Sequence, residues 1–243
     1  MNLLSFDTCT DVMSIALQRV VDGVPRTWAN TGAGGAQASS MLIPAIQQLM
    51  REAELRFEEL DAIAFGRGPG SFTGLRTACS VAQGLAFGAG VKVLPVDTLL
   101  AVAEEARYHG ASDDASLRVL ALLDARMDEV YAAHYEFNSG QWAQHLDYSL
   151  IRPENLVLPA GWQDASWLLA GNAFAAYGER LPFPAPVRRI QALPTATAML
   201  RLAPALLAAG HAVCADEALP TYIRDKVAQT TQERADLKAA QQA

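Results

Sequence analysis

The sequence predicts an internally duplicated α/β fold, two similar halves facing each other across a cleft. Three observations predict it. Strand and helix patterns run in the same order twice: three strands, a helix, a strand, a helix, a strand and a helix. The first turn of each run matches. Asp7-Thr8-Cys9-Thr10-Asp11-Val12 stands beside Asp124-Ala125-Arg126-Met127-Asp128-Glu129-Val130, each with an aspartate at a strand end and another before the next strand. Hydrophobic residues make up 51% of the 243, enough for a sizeable core.

In the first half, residues 2–7 form an apolar strand, and residues 12–20 a second in which Ile15 and Leu17 alternate. Asp22-Gly23 is a two-residue hairpin signal, and residues 25–31 continue as a third strand. Glycines make residues 32–35 a break. A helix over residues 40–54 gathers Leu42, Ala45, Ile46, Leu49 and Ala53 on one face. Pro44 fits it only near the start, where early N–H groups lack partners anyway. Residues 61–65 alternate as a strand and run into Gly66-Arg67-Gly68-Pro69-Gly70-Ser71-Phe72-Thr73-Gly74-Leu75-Arg76, a glycine-rich turn and a helix start. Ser71 or Thr73 can cap that helix, and Leu75, Ala78, Cys79, Ala82, Leu85 and Ala86 share its apolar face. Residues 91–96 are a short buried strand, after which Asp97 or Thr98 caps a helix to about residue 108.

Residues 110–116 are polar, with two adjacent aspartates, and mark the boundary between a domain at 1–109 and one at 110–215. Strands follow at 117–124, 129–137 and 142–150, with a turn at 138–140. Next come a single helical turn at 153–156, a strand at 167–170, a helix at 173–181, a strand at 187–190 and a helix at 195–209. The tail, 216–243, holds Pro220, Tyr222 and Arg224 and ends in a polar, charged run expected to fray. Such a duplication is the actin-like, sugar-kinase-like, RNase H-like architecture, in which two hairpin turns face a nucleotide.

Composition removes several function classes. The net charge of −7 argues against stand-alone nucleic-acid binding, which calls for a basic surface. Cys9, Cys79 and Cys214 are few, odd in number and far apart, so they read as reduced thiols. With no signal peptide and no membrane-length apolar run, the expected compartment is the cytoplasm. His109, His134, His145 and His211 show no metal-ligand spacing, and no serine sits in a G-x-S-x-G elbow.

Nucleotide chemistry needs backbone N–H groups close to phosphates, an approach that glycines permit. Thr8-Cys9-Thr10 and Ala125-Arg126-Met127 contain none, so independent ATP hydrolysis is not expected. Asp7 and Asp124 either hold Mg²⁺ through water or simply end their strands. Gly171-Asn172 resembles the adenosine-side turn of such folds but lacks a second glycine. The glycine-rich stretch makes either a tight bend or an anion site at a helix N-terminus.

Two helices carry more apolar or small residues on their outer faces than a solvated helix needs. Met41, Ile43 and Met50 lie near the edges of the first. Thr73, Arg76, Thr77, Ser80, Gly84 and Phe87 form the non-core face of the second. These are either ordinary surface or a partner interface.

The stretch Gly66 to Arg76, with Phe6-Asp7-Thr8 before it and Asp124-Ala125-Arg126-Met127-Asp128-Glu129-Val130-Tyr131 after it, resembles the TsaB (YeaZ) family, bacterial non-catalytic paralogues of TsaD. The resemblance runs from residue 2 to about residue 224, and is weaker after Leu150. It implies the actin-like two-domain fold and a role in making N6-threonylcarbamoyladenosine (t6A) in tRNA. The partners implied are TsaD, which transfers the threonylcarbamoyl group, and the ATPase TsaE, with tRNA reached only through the complex and a homodimer when alone. It implies no cofactor belonging to this chain, with ATP or ADP confined to the complex interface. It also makes the two outer helix faces a pairing surface. In TsaD-like relatives a His-x-x-x-His metal pair follows the strand at 91–96; Thr98 and Val102 stand there instead. Ala38-Ser39 departs from a His-Ser pair common in the family. The rival readings are an enzyme in its own right (an ATPase, a phosphotransferase or a metallopeptidase-like hydrolase) and a stand-alone tRNA-binding module.

Overall fold

The computed structural model describes residues 1–110, 116–162, 167–183 and 187–224. Each half is built around one largely buried central strand. In the first half β1 (Leu3–Asp7) is buried along its whole length. It pairs antiparallel with β2 (Val12–Val21) and parallel with β4 (Ala62–Gly68). With β3 (Val24–Ala33) and β5 (Lys92–Asp97) the sheet order is β3-β2-β1-β4-β5. The second half repeats it around β6 (Ser116–Asp124), antiparallel to β7 (Val130–Asn138) and parallel to β9 (Trp167–Gly171). Adding β8 (Gln141–Ile151) and β10 (Arg188–Gln191) gives β8-β7-β6-β9-β10. The two topologies are identical, which makes this the actin-like, RNase H-like duplicated α/β fold.

Turn chemistry sets the hairpin registers. Asp22 and Gly23 have φ of 52° and 79°, and Ser139 and Gly140 have 50° and 84°. Positive φ at both central residues matches the twist of the flanking strands.

The helices form layers. α1 (Ala38–Glu52) and α2 (Phe72–Ala89) cover the outer face of the first sheet, packing Leu42, Ile46, Ala78 and Ala82 on Leu4, Phe6, Ile15 and Leu17. α3 (Thr98–Gly110) and α5 (Ala196–Ala208) lie between the sheets, where Leu99, Val102, Met199 and Ala203 share one core with Leu3, Ala64, Val119 and Leu168. The short α4 (Phe174–Tyr177) packs on the far side of the second sheet, where Tyr177 joins Leu120, Leu122 and Leu169. The counterpart of α1 in the second half is a single 3-10 turn, Pro153–Asn155.

Several boundaries differ from the sequence reading, most of them by a residue or two. Gly32 and Ala33 belong to β3, because they pair with Met13 and Val12 of β2. β4 continues through Gly66, Arg67 and Gly68, because β5 lies alongside and pairs Gly66 with Val96 and Gly68 with Asp97. α1 begins at Ala38, whose fully buried methyl draws the first turn onto the sheet, and this leaves Pro44 inside the helix on its exposed side. α4 stops at Tyr177 instead of running to residue 181. The boundary reading at 110–116 falls mostly on residues 111–115, and the frayed end on residues 225–243, both outside the described residues.

Candidate functional site

The glycine-rich stretch docks against the β1–β2 turn. Ser71 caps α2, its hydroxyl accepting the Gly74 N–H at 3.2 Å, and its own N–H donates to the Cys9 carbonyl at 2.8 Å. The Thr8 hydroxyl donates to the Gly74 carbonyl at 2.7 Å. A methyl group on Gly66 would lie 1.8 Å from Asp7 Oδ2, on Gly70 2.5 Å from Cys9 Cβ, and on Gly74 1.8 Å from the Thr8 carbonyl oxygen. Three glycines four residues apart thus let strand, loop and helix start press against a single turn. Close packing accounts for them without a ligand.

Asp7 lies beneath this contact, fully buried. Its Oδ1 accepts the Cys9 N–H at 2.7 Å, and the Thr98 hydroxyl stands 3.2 Å from Oδ2. Asp124 does the same for the β6–β7 turn, accepting the Arg126 N–H at 2.8 Å and the Tyr177 hydroxyl at 3.0 Å, with an Arg126 guanidinium nitrogen at 3.2 Å. In each turn the chain's own aspartate therefore takes up an N–H of the turn. Gly171, at φ 138°, is glycine because a side chain there would sit 1.7 Å from the Leu122 carbonyl. Asn172 is the residue that faces the cleft, and it accepts the Asp124 N–H at 2.9 Å. Among the described residues no three His, Cys, Asp or Glu side chains group as metal ligands.

The two turns face each other across a cleft of about 560 Å³. Arg126 reaches across it to Asp11. Phe72, Tyr131 and Tyr222 line the walls, and Thr221, Tyr222, Ile223 and Arg224 form one side. The sequence singled out Pro220, Tyr222 and Arg224 but gave them no role; no local pattern says where a tail returns.

Burial pushes the Asp7 carboxyl up from 3.8 to about 6, against the lowering effect of its hydrogen bonds from Cys9 and Thr98. Because the folded state holds this proton more tightly, its contribution is fully present below pH 4 and is lost as pH rises through 6. Two units correspond to about 3 kcal/mol. Asp7→Asn, whose amide can donate to Thr98, is expected to melt higher than wild type above pH 6.5, with the gap closing below pH 4. A gap that stays constant with pH would mean that Asp7 does not titrate there.

The outer helix faces divide unevenly. Met41, Ile43 and Phe87 are exposed, Phe87 by 85%. Thr73, Arg76, Ser80 and Gly84 are exposed on α2, with Thr77 half-buried. Met50 is not part of this surface. It is buried, because the chain turns back after α1 and its carbonyl accepts the Leu55 N–H at 3.0 Å, enclosing the side chain in the outer core. Among the described residues nothing lies within 4 Å of a methyl group built on Gly84 or Gly88.

A family model described as TsaD, tRNA N6-adenosine threonylcarbamoyltransferase, matches residues 35–241. The tRNA threonylcarbamoyladenosine biosynthesis protein TsaB of Escherichia coli is 33% identical over 232 residues, covering 94% of this chain and 96% of its own. Its namesake from Haemophilus influenzae is 34% identical over 236 residues, covering 93% and 95%. The solved structure of YeaZ from Pseudomonas aeruginosa superposes with a TM-score of 0.80 at 37% identity, covering 91% of this chain and 99% of that one.

Proposed function

The chain belongs to the TsaB (YeaZ) family of tRNA threonylcarbamoyladenosine biosynthesis proteins, and we propose that it acts there as a non-catalytic accessory subunit. It pairs with TsaD through the outer faces of α1 and α2, and self-pairs through them when alone. TsaE and tRNA join only through that complex, in the cytoplasm. The observation that carries the pairing is the surface of α2. Gly84 and Gly88 weaken a helix, and among the described residues nothing lies near the side chain either would carry, beside an exposed Phe87. Small residues admit a neighbouring helix closely, and aromatics anchor interfaces.

The non-catalytic part of the reading rests on side-chain chemistry. Thr98 and Val102, where TsaD-like relatives carry histidines, are buried in α3 and offer no imidazole. Asp7 and Asp124 each close their own turn. No cofactor is assigned to this chain; ATP or ADP of the assembly is assigned to the interface between chains.

Ser80→Arg or Ile43→Lys is expected to leave the melting temperature unchanged and to weaken pairing with TsaD about a hundredfold, from about 3 kcal/mol for an unpaired charge in the contact. Sedimentation of each variant with TsaD reads the pairing. Reconstituted t6A formation with and without the chain reads the function. Full-affinity pairing by both variants refutes the interface. Undiminished modification without the chain refutes the role.

A further inference from the structure

We propose that residues 218–224 form a clasp that couples the outer face of α2 to the geometry of the cleft. The inference rests on the reading of that face as a partner surface. It goes beyond it by naming what sets the face.

The segment is fixed at both ends. At one end Ala218 is fully buried, and its carbonyl accepts Gln83 Nε2 at 2.9 Å and the Cys79 thiol at 3.3 Å, both from α2. Next, the Thr221 N–H donates to the Arg67 carbonyl at 2.7 Å, adding a rung beside the end of β4. At the other end Arg224 donates to the Ala125 carbonyl at 3.0 Å and pairs with Glu129 at 2.8 Å. Among the described residues its hydrogen bonds and ion pair go to residues 125–129 of the second half and none to α2.

Between these anchors Tyr222 grips the partner face. Its hydroxyl accepts Arg76 Nε at 3.1 Å, and its ring lies 5.6 Å from that of Phe72. The Arg76 guanidinium is held 3.8 Å above the Phe72 ring. Tyr222 therefore orients the one cation on that face which the sequence assigned to pairing. The same residues, 221–224, line the cleft.

The far anchor is a turn under strain. Arg126, Met127 and Asp128 have φ of 61°, 54° and 66°, three consecutive non-glycine residues in the left-handed region. Side chains disfavour that region, and such backbone persists only where its surroundings hold it. Here Asp124 holds the Arg126 N–H and Arg224 holds the Ala125 carbonyl. The Ala125 N–H also donates to the Glu129 carbonyl at 3.0 Å, and Arg180 pairs with Asp128. Releasing Arg224 removes the restraint that comes from the clasp and favours an unclasped form with Arg76 no longer oriented. A partner that reads Arg76 in its clasped pose then binds more weakly by the clasped fraction, and by linkage its binding closes the clasp.

The test measures the affinity of the full chain for TsaD by sedimentation or calorimetry, beside thermal melts and amide exchange at Thr221. Arg224→Ala and Tyr222→Phe are the coupling variants, and Ser80→Arg is the control for the face itself. Arg224→Ala is expected to weaken pairing about fivefold or more, in the range of ordinary allosteric couplings, although its bonds lie across the cleft from α2. Tyr222→Phe, which keeps the ring and loses only the hydroxyl, is expected to weaken it in the same direction, and it decides the matter if Arg224→Ala melts far below wild type. Saturating TsaD is expected to slow exchange of the Thr221 amide in wild type. Wild-type affinity in both coupling variants while Ser80→Arg pairs poorly overturns the coupling and leaves the face standing. Wild-type affinity in all three overturns the face, and the coupling with it.

Discussion

Glu104→Ala should destabilise the folded chain by about 3–5 kcal/mol, the usual consequence of removing one partner from a buried charge cluster. Glu104 is only 3% exposed, in the helical layer between the two sheets. Its carboxylate accepts Arg107 Nε at 2.8 Å and Nη2 at 2.9 Å, Arg201 Nε at 2.9 Å and the Trp142 indole N–H at 3.1 Å. One side chain thus joins α3 to α5 and to β8. Burial is the largest single influence on this carboxyl and pushes it up. The hydrogen bonds from Arg107, Trp142 and Arg201 together outweigh it and hold the group below its ordinary value. Removing the acceptor strands two guanidinium groups. Arg201 keeps Glu105, and Arg107 keeps the Phe137 ring, so the loss falls short of a bare buried charge. Urea denaturation measures it. Adding Arg107→Met to Glu104→Ala should recover part of the loss, because among the described residues Arg107 is the cation left without a carboxylate. A loss under about 1 kcal/mol would place the cluster with exposed ion pairs, whose strength is of that order.

This cluster shows where sequence reading stops. The apolar runs at β1 and β6 and the Asp22-Gly23 hairpin are local signals, and they placed the strands and the duplication within a few residues. The two matching turns do face each other across a cleft. Glu104, Arg107 and Arg201 drew no reading from the sequence, because no pattern in one helix says that it is sandwiched between two sheets. Met50 was misplaced for a related reason. Helical spacing set it at the edge of α1, but the burial comes from Leu55, beyond the helix end. β4 was ended early because Gly66 and Gly68 read as a bend, whereas the neighbouring β5 pairs with both, across a register shift at which Gly68 takes a φ of 110°. Glycine reports conformational freedom, and whether that freedom serves a bend, a ligand or a packed neighbour is decided by what approaches it in space.

Gly74→Ala separates those uses, and it should cost about 3 kcal/mol or more in the isolated chain, with no ligand present. Gly74 lies in the first turn of α2 with ordinary helical backbone, so the added methyl group brings no dihedral strain. What it meets first is backbone, the Thr8 carbonyl oxygen at 1.8 Å and its carbon at 2.8 Å, beside the capping Ser71 hydroxyl at 2.6 Å. The Thr8 backbone cannot swing aside. Making room pulls the β1–β2 turn from α2 and breaks the Thr8–Gly74 and Ser71–Cys9 hydrogen bonds, at 2.7 Å and 2.8 Å. It also disturbs the capped, buried Asp7 beneath. Gly84→Ala, in the same helix with open space around it, should instead raise the isolated chain's stability by about 0.5–1 kcal/mol. Thermal or urea melts of both variants at a concentration that keeps the chain monomeric provide the comparison. A glycine kept for close approach to a phosphate would tolerate alanine in the free protein and lose only binding. Wild-type stability in Gly74→Ala would therefore return the glycine-rich stretch to the anion-binding reading, while a large loss ties it to holding the two turns of the cleft in place.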